Sequence, residues 1–328
     1  MELSESKTII VTGGAGYIGS HACKALANAG YLPVAYDNLS RGHDWAVKWG
    51  PLEKGDILDS DRLSELMKKY QPSAVMHFAA LAYVGESVTN PLLYYHNNVV
   101  GTYTLLRTML RHNINKFIFS STCAVYGDPQ ELPLTESHRR SPVNPYGNTK
   151  AMVETMLEDL AAIEQISFIS LRYFNAAGAD TEGEIGESHE PETHLIPLVL
   201  EVASGKRPHI EIFGNDYDTP DGTCVRDYIH VTDLADAHIK SLEYILDNKG
   251  SEFFNLGTEY GYSVNEIIEN AKHITNKEID VKIKARRPGD PPALIADSSK
   301  IKKILNWKSK YSNINQILSS AWEWQKNN

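Results

Sequence analysis

Tyr146 and Lys150 stand four residues apart in N-P-Y-G-N-T-K (144–150), a spacing that sets a phenol and an ammonium on one face of a helix. A free phenol, with a pKa near 10, is a poor base at neutral pH, and a neighbouring cation eases its ionisation. Such a pair could take a proton from a substrate hydroxyl. Spacing alone does not establish this. With 17 tyrosines and 32 lysines and arginines among 328 residues, such pairs arise by chance, and Tyr103–Arg107 is another.

A second stretch with chemical meaning is T-G-G-A-G-Y-I-G-S-H (12–21), with Gly13, Gly16 and Gly19 in G-x-x-G-x-x-G spacing. It follows the apolar run T-I-I-V-T (8–12) and precedes a helical pattern. A turn there lets backbone approach a ligand closely, and the helix N-terminus offers unpaired N–H groups to a pyrophosphate. Glycine triplets are weak evidence by themselves; the strand–turn–helix context gives this one its weight. The next strand ends at Tyr36-Asp37, where a carboxylate can accept hydrogen bonds from both adenosine ribose hydroxyls and repel a 2′-phosphate. That favours NAD over NADP, although Asp37 before Asn38 also reads as a turn start and Arg41 leaves NADP open. Asp56, in G-D-I (55–57), could meet the adenine amino group or be a solvated turn residue.

These residues need elements to hold them. Strand patterns at 8–12, 31–37, 73–80, 116–121 and 166–175 alternate with amphipathic segments at 18–29, 61–70, 98–112 and 146–165. Alternation of this kind implies βαβ units, and strands that are apolar throughout belong to a sheet covered on both faces. The predicted class is α/β: a Rossmann-type doubly wound parallel sheet with a smaller, mixed α/β C-terminal substrate domain. Residues 1–175 are assigned to the dinucleotide domain, with about 225–250 returning to it, and 176–328 mainly to the substrate domain. Helices are expected at 194–204, 232–247, 263–275 and 313–326, with ordered polar loops at 191–197 and 213–223.

Composition narrows the function classes. The formal net charge of −10 disfavours nonspecific attraction to nucleic acid or anionic membrane, so an anionic ligand must be held by a few placed arginines and helix N-termini. Cys23, Cys123 and Cys224 are widely spaced, which argues against a disulfide framework and a cysteine zinc site and fits a reducing compartment. The start, M-E-L-S-E-S-K-T-I-I-V-T-G-G, has no basic region and reads as the approach to a first strand rather than a signal peptide. No apolar stretch approaches the ~18–20 residues of a membrane span. A cytoplasmic location and no metal are expected.

Eight segments in order carry a resemblance over the whole chain: T-G-G-A-G-Y-I-G-S-H, H-F-A-A-L-A-Y-V-G-E-S, Y-Y-H-N-N-V-x-G-T, F-S-S-T-C-A-V-Y-G, N-P-Y-G-N-T-K, L-R-Y-F-N-A-A-G, G-T-C-V-R-D-Y-I-H-V and R-R-P-G-D-P-P-A-L. They resemble the UDP-glucose 4-epimerases of the extended short-chain dehydrogenase/reductase superfamily. The resemblance implies NAD-dependent 4-epimerisation of a UDP-hexose, UDP-glucose or UDP-galactose, through a transient 4-keto sugar without net redox. NAD would be tightly bound and regenerated within each turnover. Tyr146 is then the base, helped by Lys150 and the positive nicotinamide, and Thr122 hydrogen-bonds the sugar 4-hydroxyl.

For the cofactor the resemblance implies Gly13, Gly16, Tyr17, Ile18 and Gly19 at the pyrophosphate, and Asp37, Asn38, Ser40, Arg41 and Gly42 around the adenosine ribose. Asp56 and Ile57 fall at adenine; Phe78, Ala79 and Ala80 line the cofactor, with Asn97, Tyr146, Lys150 and Phe174 nearby. Ala82 stands where the best-known bacterial epimerases carry a lysine, so one cofactor contact is missing or replaced. For the nucleotide sugar it implies Thr122, Tyr146, Asn175, His194, Leu195, Phe213, Arg226, Arg287, Asp290 and Leu294. Guanidinium groups suit a diphosphate because they donate at fixed geometry, and His194 replaces a common asparagine beside uracil. Leu294 falls where side-chain size sets tolerance of N-acetylated sugars, and leucine implies that these are poor substrates.

Rival readings share part of this pattern. A-Y-V-G-E-S also resembles UDP-xylose/UDP-arabinose 4-epimerases. Nucleotide-sugar 4,6-dehydratases and decarboxylases share tyrosine, lysine and NAD, but usually carry an acidic residue just after the threonine, where this chain has Cys123 and Ala124. A non-catalytic NAD-sensing protein could dispense with the tyrosine–lysine pair. Some relatives dimerise through helices corresponding to 98–112 and 146–165, and a homodimer is expected here.

Overall fold

The computed structural model describes residues 7–287 and 289–327; the starting M-E-L-S-E-S and Pro288 of the R-R-P-G-D segment lie outside them. The chain divides into two compact units. One comprises 1–125, 142–172 and 235–254, and the other 126–141, 173–234 and 255–328. The segment at 126–141 thus leaves the first half of the chain for the second unit, and a later helix–strand segment joins the first.

The first unit is built on a seven-stranded sheet in the order Glu252–Leu256, Ser167–Tyr173, Lys116–Ser120, Ala74–His77, Thr8–Thr12, Leu32–Asp37, Leu52–Lys54. The pairings from Ser167–Tyr173 through Leu52–Lys54 are parallel, with Thr12 facing both Tyr36 and His77. Strand order reverses at Thr8–Thr12, so the glycine turn leaves the sheet at the topological switch point where such folds bind ligands. Ile9, Ile10, Phe117 and Ile118 are fully buried, as strands covered on both faces require. Helices Ser60–Tyr70, Gly101–Arg111 and Pro145–Ala162 add Leu63, Leu66, Leu105, Met109, Val153 and Leu157 to that core. The predicted α/β class is found.

Several elements differ from expectation, among them helices Val84–Thr89 and Ser299–Leu305 and strand Glu252–Leu256, for which no pattern was read. Leu52–Lys54 was not foreseen: it is a three-residue edge strand carrying two charges, too short to show a period. The segment predicted as helix over 98–112 opens with a wide π-helical turn, Tyr95–Val100, before Gly101–Arg111. Such turns recur at functional sites, and this one carries Asn98, which bonds the backbone of Leu81 and the Thr149 hydroxyl.

In the second unit, Val225–His230 pairs with Asn175–Ala177 and Ala293–Leu294 in parallel and with Gly261–Ser263 antiparallel; a separate ribbon joins Ile210–Phe213 to Val281–Lys284. Helices Leu195–Ala203, Val264–Thr275 and Ile314–Asn327 enclose a core that includes Ile196, Val199, Ile267 and Ile317. Asp227 binds the unit's segments together: its buried carboxylate accepts N–H groups of Thr258, Glu259 and Ala296 and the hydroxyl of Thr258. No helix among the described residues is long and apolar enough to cross a membrane.

Candidate active site

The glycine turn has the shape a dinucleotide demands. Gly13 sits at φ 73°, and a side chain there would strike the backbone of Phe78 and Ala79; one at Gly19 would overlap the carbonyl of Gly13. Helix Tyr17–Asn28 follows with Gly16 at its start and no side chain capping its first N–H groups, so the positive end of the helix is open to an anion. Tyr17 and Ile18 form its first turn. Gly13 and Gly19 make the turn tight, and the uncapped helix start beyond it is what offers a place to an anion.

Asp37 closes its strand with each carboxylate oxygen already oriented: Oδ2 accepts the N–H of Ala15 at 3.0 Å and Oδ1 that of Leu39 at 2.8 Å. Burial pushes its pKa up, and those two donors oppose the shift. Asn38 donates to Asp56 at 2.9 Å and its own side-chain oxygen accepts the N–H of Ser40, so the residues expected around the ribose and adenine form one network. Gly42 lies against Ala15. Arg41 faces elsewhere: it pairs with Glu86 at 2.8 Å and stacks on Tyr83, 4.9 Å from the ring centroid. Ile57 is buried in the core, whereas Ala82 is exposed.

Phe78, Ala79 and Ala80 continue from Ala74–His77, half-buried, with the N–H of Phe78 on the carbonyl of Thr12. Below them His77 bridges Thr12 and Thr102 at 2.6 and 2.8 Å. Burial, with Lys150 adding, lowers its pKa to about 3, so the ring is neutral. Asn97 donates to Asn98, whose side chain also exchanges hydrogen bonds with the backbone of Leu81 and donates to Thr149. Asn98 thereby ties the cofactor-side loop to the helix that carries the tyrosine.

That helix, Pro145–Ala162, begins with Asn144 accepting the N–H of Gly147 and Pro145 at its first position, a sequence-encoded start. It sets Tyr146 and Lys150 one turn apart on its inner face, 8% and 3% exposed. The Lys150 ammonium donates to the carbonyl of Ser120 at 2.7 Å and lies 5.9 Å from the centre of the Tyr146 ring. Burial lowers its pKa to about 7, against the opposing charge of Glu154. Thr122 is buried at the end of the neighbouring strand, its oxygen accepting the N–H of Ala124.

One more turn along the helix, Glu154 is fully buried. It forms a bidentate pair with Arg172 (2.9 and 2.8 Å) and accepts the hydroxyls of Ser121 and Ser170. Sequence reasoning passed over it, although its place four residues beyond Lys150 was a signal.

The second unit holds most of the residues expected at the nucleotide sugar, and Phe174, which is buried there with its N–H on Leu256. Asn175 donates to the carbonyl of Asp227. Arg226 pairs with Asp290 at 3.1 Å, and beside it in register lies Leu294, nearly buried. The Arg287 guanidinium lies 3.7 Å from the centre of the Phe213 ring. Leu195 begins helix Leu195–Ala203. His194, just ahead of it, engages Glu187 and Glu192; burial pushes its pKa down, but the two carboxylates prevail and raise it to about 10. None of the three cysteines is in a disulfide, and Cys23 and Cys224 are buried.

A parallel sheet with a glycine turn at its switch point, a strand-end aspartate and a buried tyrosine–lysine pair define a dinucleotide-dependent enzyme of the short-chain dehydrogenase/reductase type. The chain belongs to the NAD dependent epimerase/dehydratase family, whose model matches residues 9–257. It is 52% identical over 318 residues to a UDP-glucose 4-epimerase of Rhizobium leguminosarum bv. trifolii, covering 97% of each chain. Among solved structures, a UDP-glucose 4-epimerase of Brucella ovis in complex with NAD superposes with a TM-score of 0.94 at 50% identity, covering 97% of this chain and 98% of that one. One from Bifidobacterium longum in complex with NAD+ and UDP superposes with a TM-score of 0.94 at 40% identity, covering 98% and 99%.

Proposed function

We propose that the chain is an NAD-dependent UDP-hexose 4-epimerase, an isomerase that interconverts UDP-glucose and UDP-galactose. The observation that carries this reading is the Tyr146–Lys150 pair: a phenol with its ammonium neighbour desolvated beneath it, on a chain half identical to UDP-glucose 4-epimerases along its length. The glycine turn and Asp37 fit NAD, with Gly13, Gly16, Tyr17, Ile18 and Gly19 holding the pyrophosphate and Asp37 the ribose. When bound, NAD supplies an oxidant at the sugar's C4 that is restored within the turnover.

Tyr146 takes the proton of the 4-hydroxyl and returns it after the ketone has been reduced on its other face. Thr122 aligns that hydroxyl. Lys150, fixed by the carbonyl of Ser120, favours the phenolate by its charge. His77, neutral and hydrogen-bonded to Thr12 and Thr102, braces the strand end near Lys150 without adding charge to it. In the second unit Arg226 and Arg287 grip the diphosphate, with Asn175, Leu195, Phe213 and Asp290 around the nucleotide. A firm grip on UDP leaves the hexose free to turn over between the two half-reactions. Leu294 narrows the sugar end against N-acetyl groups.

Exposed apolar side chains on the helices at the expected dimer face, among them Tyr103 (51% exposed) and Met152, support a homodimer. The acidic composition and three widely spaced cysteines outside any disulfide support a cytoplasmic location. The decisive experiment incubates the purified chain with UDP-glucose, UDP-galactose, UDP-xylose and UDP-N-acetylglucosamine and resolves the products by chromatography. Interconversion of the first two without added reductant is expected. Turnover confined to the pentose, or a dehydrated product, would overturn the reading.

A further inference from the structure

Glu187, His189, Glu192 and His194 lie within eight residues of the loop that enters helix Leu195–Ala203; His194 is the one of them expected beside the nucleotide, and none takes part in the proposed proton transfer. One donor atom from each lies within 4.8 Å of all the others. The His194 Nδ1 is 2.9 Å from Glu187 and 2.8 Å from Glu192; the His189 Nδ1 is 3.2 Å from Glu187 and 3.5 Å from Glu192. Tetrahedral zinc, with bonds of about 2.1 Å, sets its ligand atoms about 3.4 Å apart. His194 stands at hydrogen-bond distance from both carboxylates, and the two histidines meet different oxygens of Glu192, so an ion requires these side chains to move outward, which four residues local in sequence permit.

We propose that these four residues form a structural site for a divalent transition metal, zinc first, that anchors the loop ahead of helix Leu195–Ala203. Three further observations support it. The side chains of Glu187 and Glu192 are only 8% and 9% exposed, and two adjacent buried carboxylates need positive charge beside them, from protonated histidines in the metal-free loop and from the ion once it displaces those protons. Two neutral imidazoles with two carboxylates carry −2, which one divalent ion cancels. The donors are also held from outside: Glu192 accepts the N–H groups of Thr193 and His194, and the carbonyl of Glu187 accepts the indole N–H of Trp324 at 3.0 Å. Such outer contacts orient ligands before the metal arrives.

Two nitrogen and two oxygen donors suit zinc and its neighbours rather than magnesium or calcium, which prefer all-oxygen shells. Four protein donors complete a tetrahedron and leave no position open, the mark of a structural rather than a catalytic ion. The alternative is a cluster of two protonated histidines paired with two glutamates, which binds no metal. The purely acidic trio Asp180, Glu182 and Glu184 offers no imidazole and nothing further that points to an ion.

The test strips the full chain with a chelator, returns zinc in the presence of a chromophoric competitor, and counts bound metal by mass spectrometry after gel filtration. One zinc per chain is expected. Cobalt(II) should give visible bands of tetrahedral intensity, which report ligand geometry on the unmodified protein whatever the variants do. His189→Ala and Glu187→Gln should each weaken binding by about 100-fold or more. Metal content far below one per chain, an octahedral cobalt spectrum, or affinity unchanged in both variants would overturn the proposal. Each readout is independent of epimerase activity, so failure of the metal site and failure of the proposed reaction are distinguishable.

Discussion

Replacing Lys150 by methionine should abolish turnover and yet stabilise the protein near neutral pH. The ammonium is buried at the end of strand Lys116–Ser120, and its pKa falls from 10.5 to about 7 because burial penalises the charge more than Glu154 rewards it. In the unfolded chain the same lysine binds its proton up to pH 10.5. Between pH 7 and 10.5 the unfolded state therefore holds more proton than the folded one, and this group's contribution to stability rises with pH across that window. Below pH 7 the penalty is complete, worth about 4–5 kcal/mol at 1.36 kcal/mol per pH unit. Methionine removes it but leaves the Ser120 carbonyl without its donor, a loss of about 1–3 kcal/mol. The net gain is about 2–4 kcal/mol at pH 7, or roughly 3–6 °C in Tm for a chain of this length. Thermal unfolding of both proteins at saturating NAD, from pH 6 to 10, measures it. The advantage should shrink as pH rises. A variant no more stable at pH 7, or one whose advantage grows with pH, would refute the reasoning.

Other expectations follow from the same geometry. Glu154→Gln strands the buried Arg172 guanidinium without its countercharge and should cost about 3–5 kcal/mol, seen as a fall of several degrees in Tm; an unchanged Tm would contradict it. Asp37→Ala removes the carboxylate assigned to the ribose and should weaken NAD binding by about 10–100-fold in a fluorescence titration. Arg226→Ala and Arg287→Ala should each raise KM for UDP-glucose by about 10-fold or more while leaving bound NAD untouched. UDP-N-acetylglucosamine should turn over far more slowly than UDP-glucose, and Leu294→Ser should narrow the gap in kcat/KM.

Much of this molecule can be read from local pattern. Apolar strands such as Thr8–Thr12 and Lys116–Ser120, the glycine turn and the asparagine–proline start of Pro145–Ala162 announce themselves because each encodes its conformation in neighbouring residues. What stayed hidden depends on distance or on weak periodicity. Leu52–Lys54 is too short for a period, and the π-helical turn at Tyr95–Val100 keeps nearly the residue pattern of an ordinary helix. Arg172 gave no sign of its role because its partner lies on another element, 18 residues away in sequence. Asn98, which fastens the loop at Leu81 to Thr149, is of the same kind. Glu187, His189, Glu192 and His194 form no familiar metal motif, and only the folded loop turns their donor atoms towards one another.

The account rests on Tyr146 as the group that carries the proton of the sugar 4-hydroxyl. Its most direct test is Tyr146→Phe, assayed for UDP-galactose to UDP-glucose conversion with NAD occupancy measured on the same sample. The phenol's loss should lower kcat by about 10²–10⁴-fold with NAD still bound. A phenylalanine variant that keeps near-full turnover would contradict it.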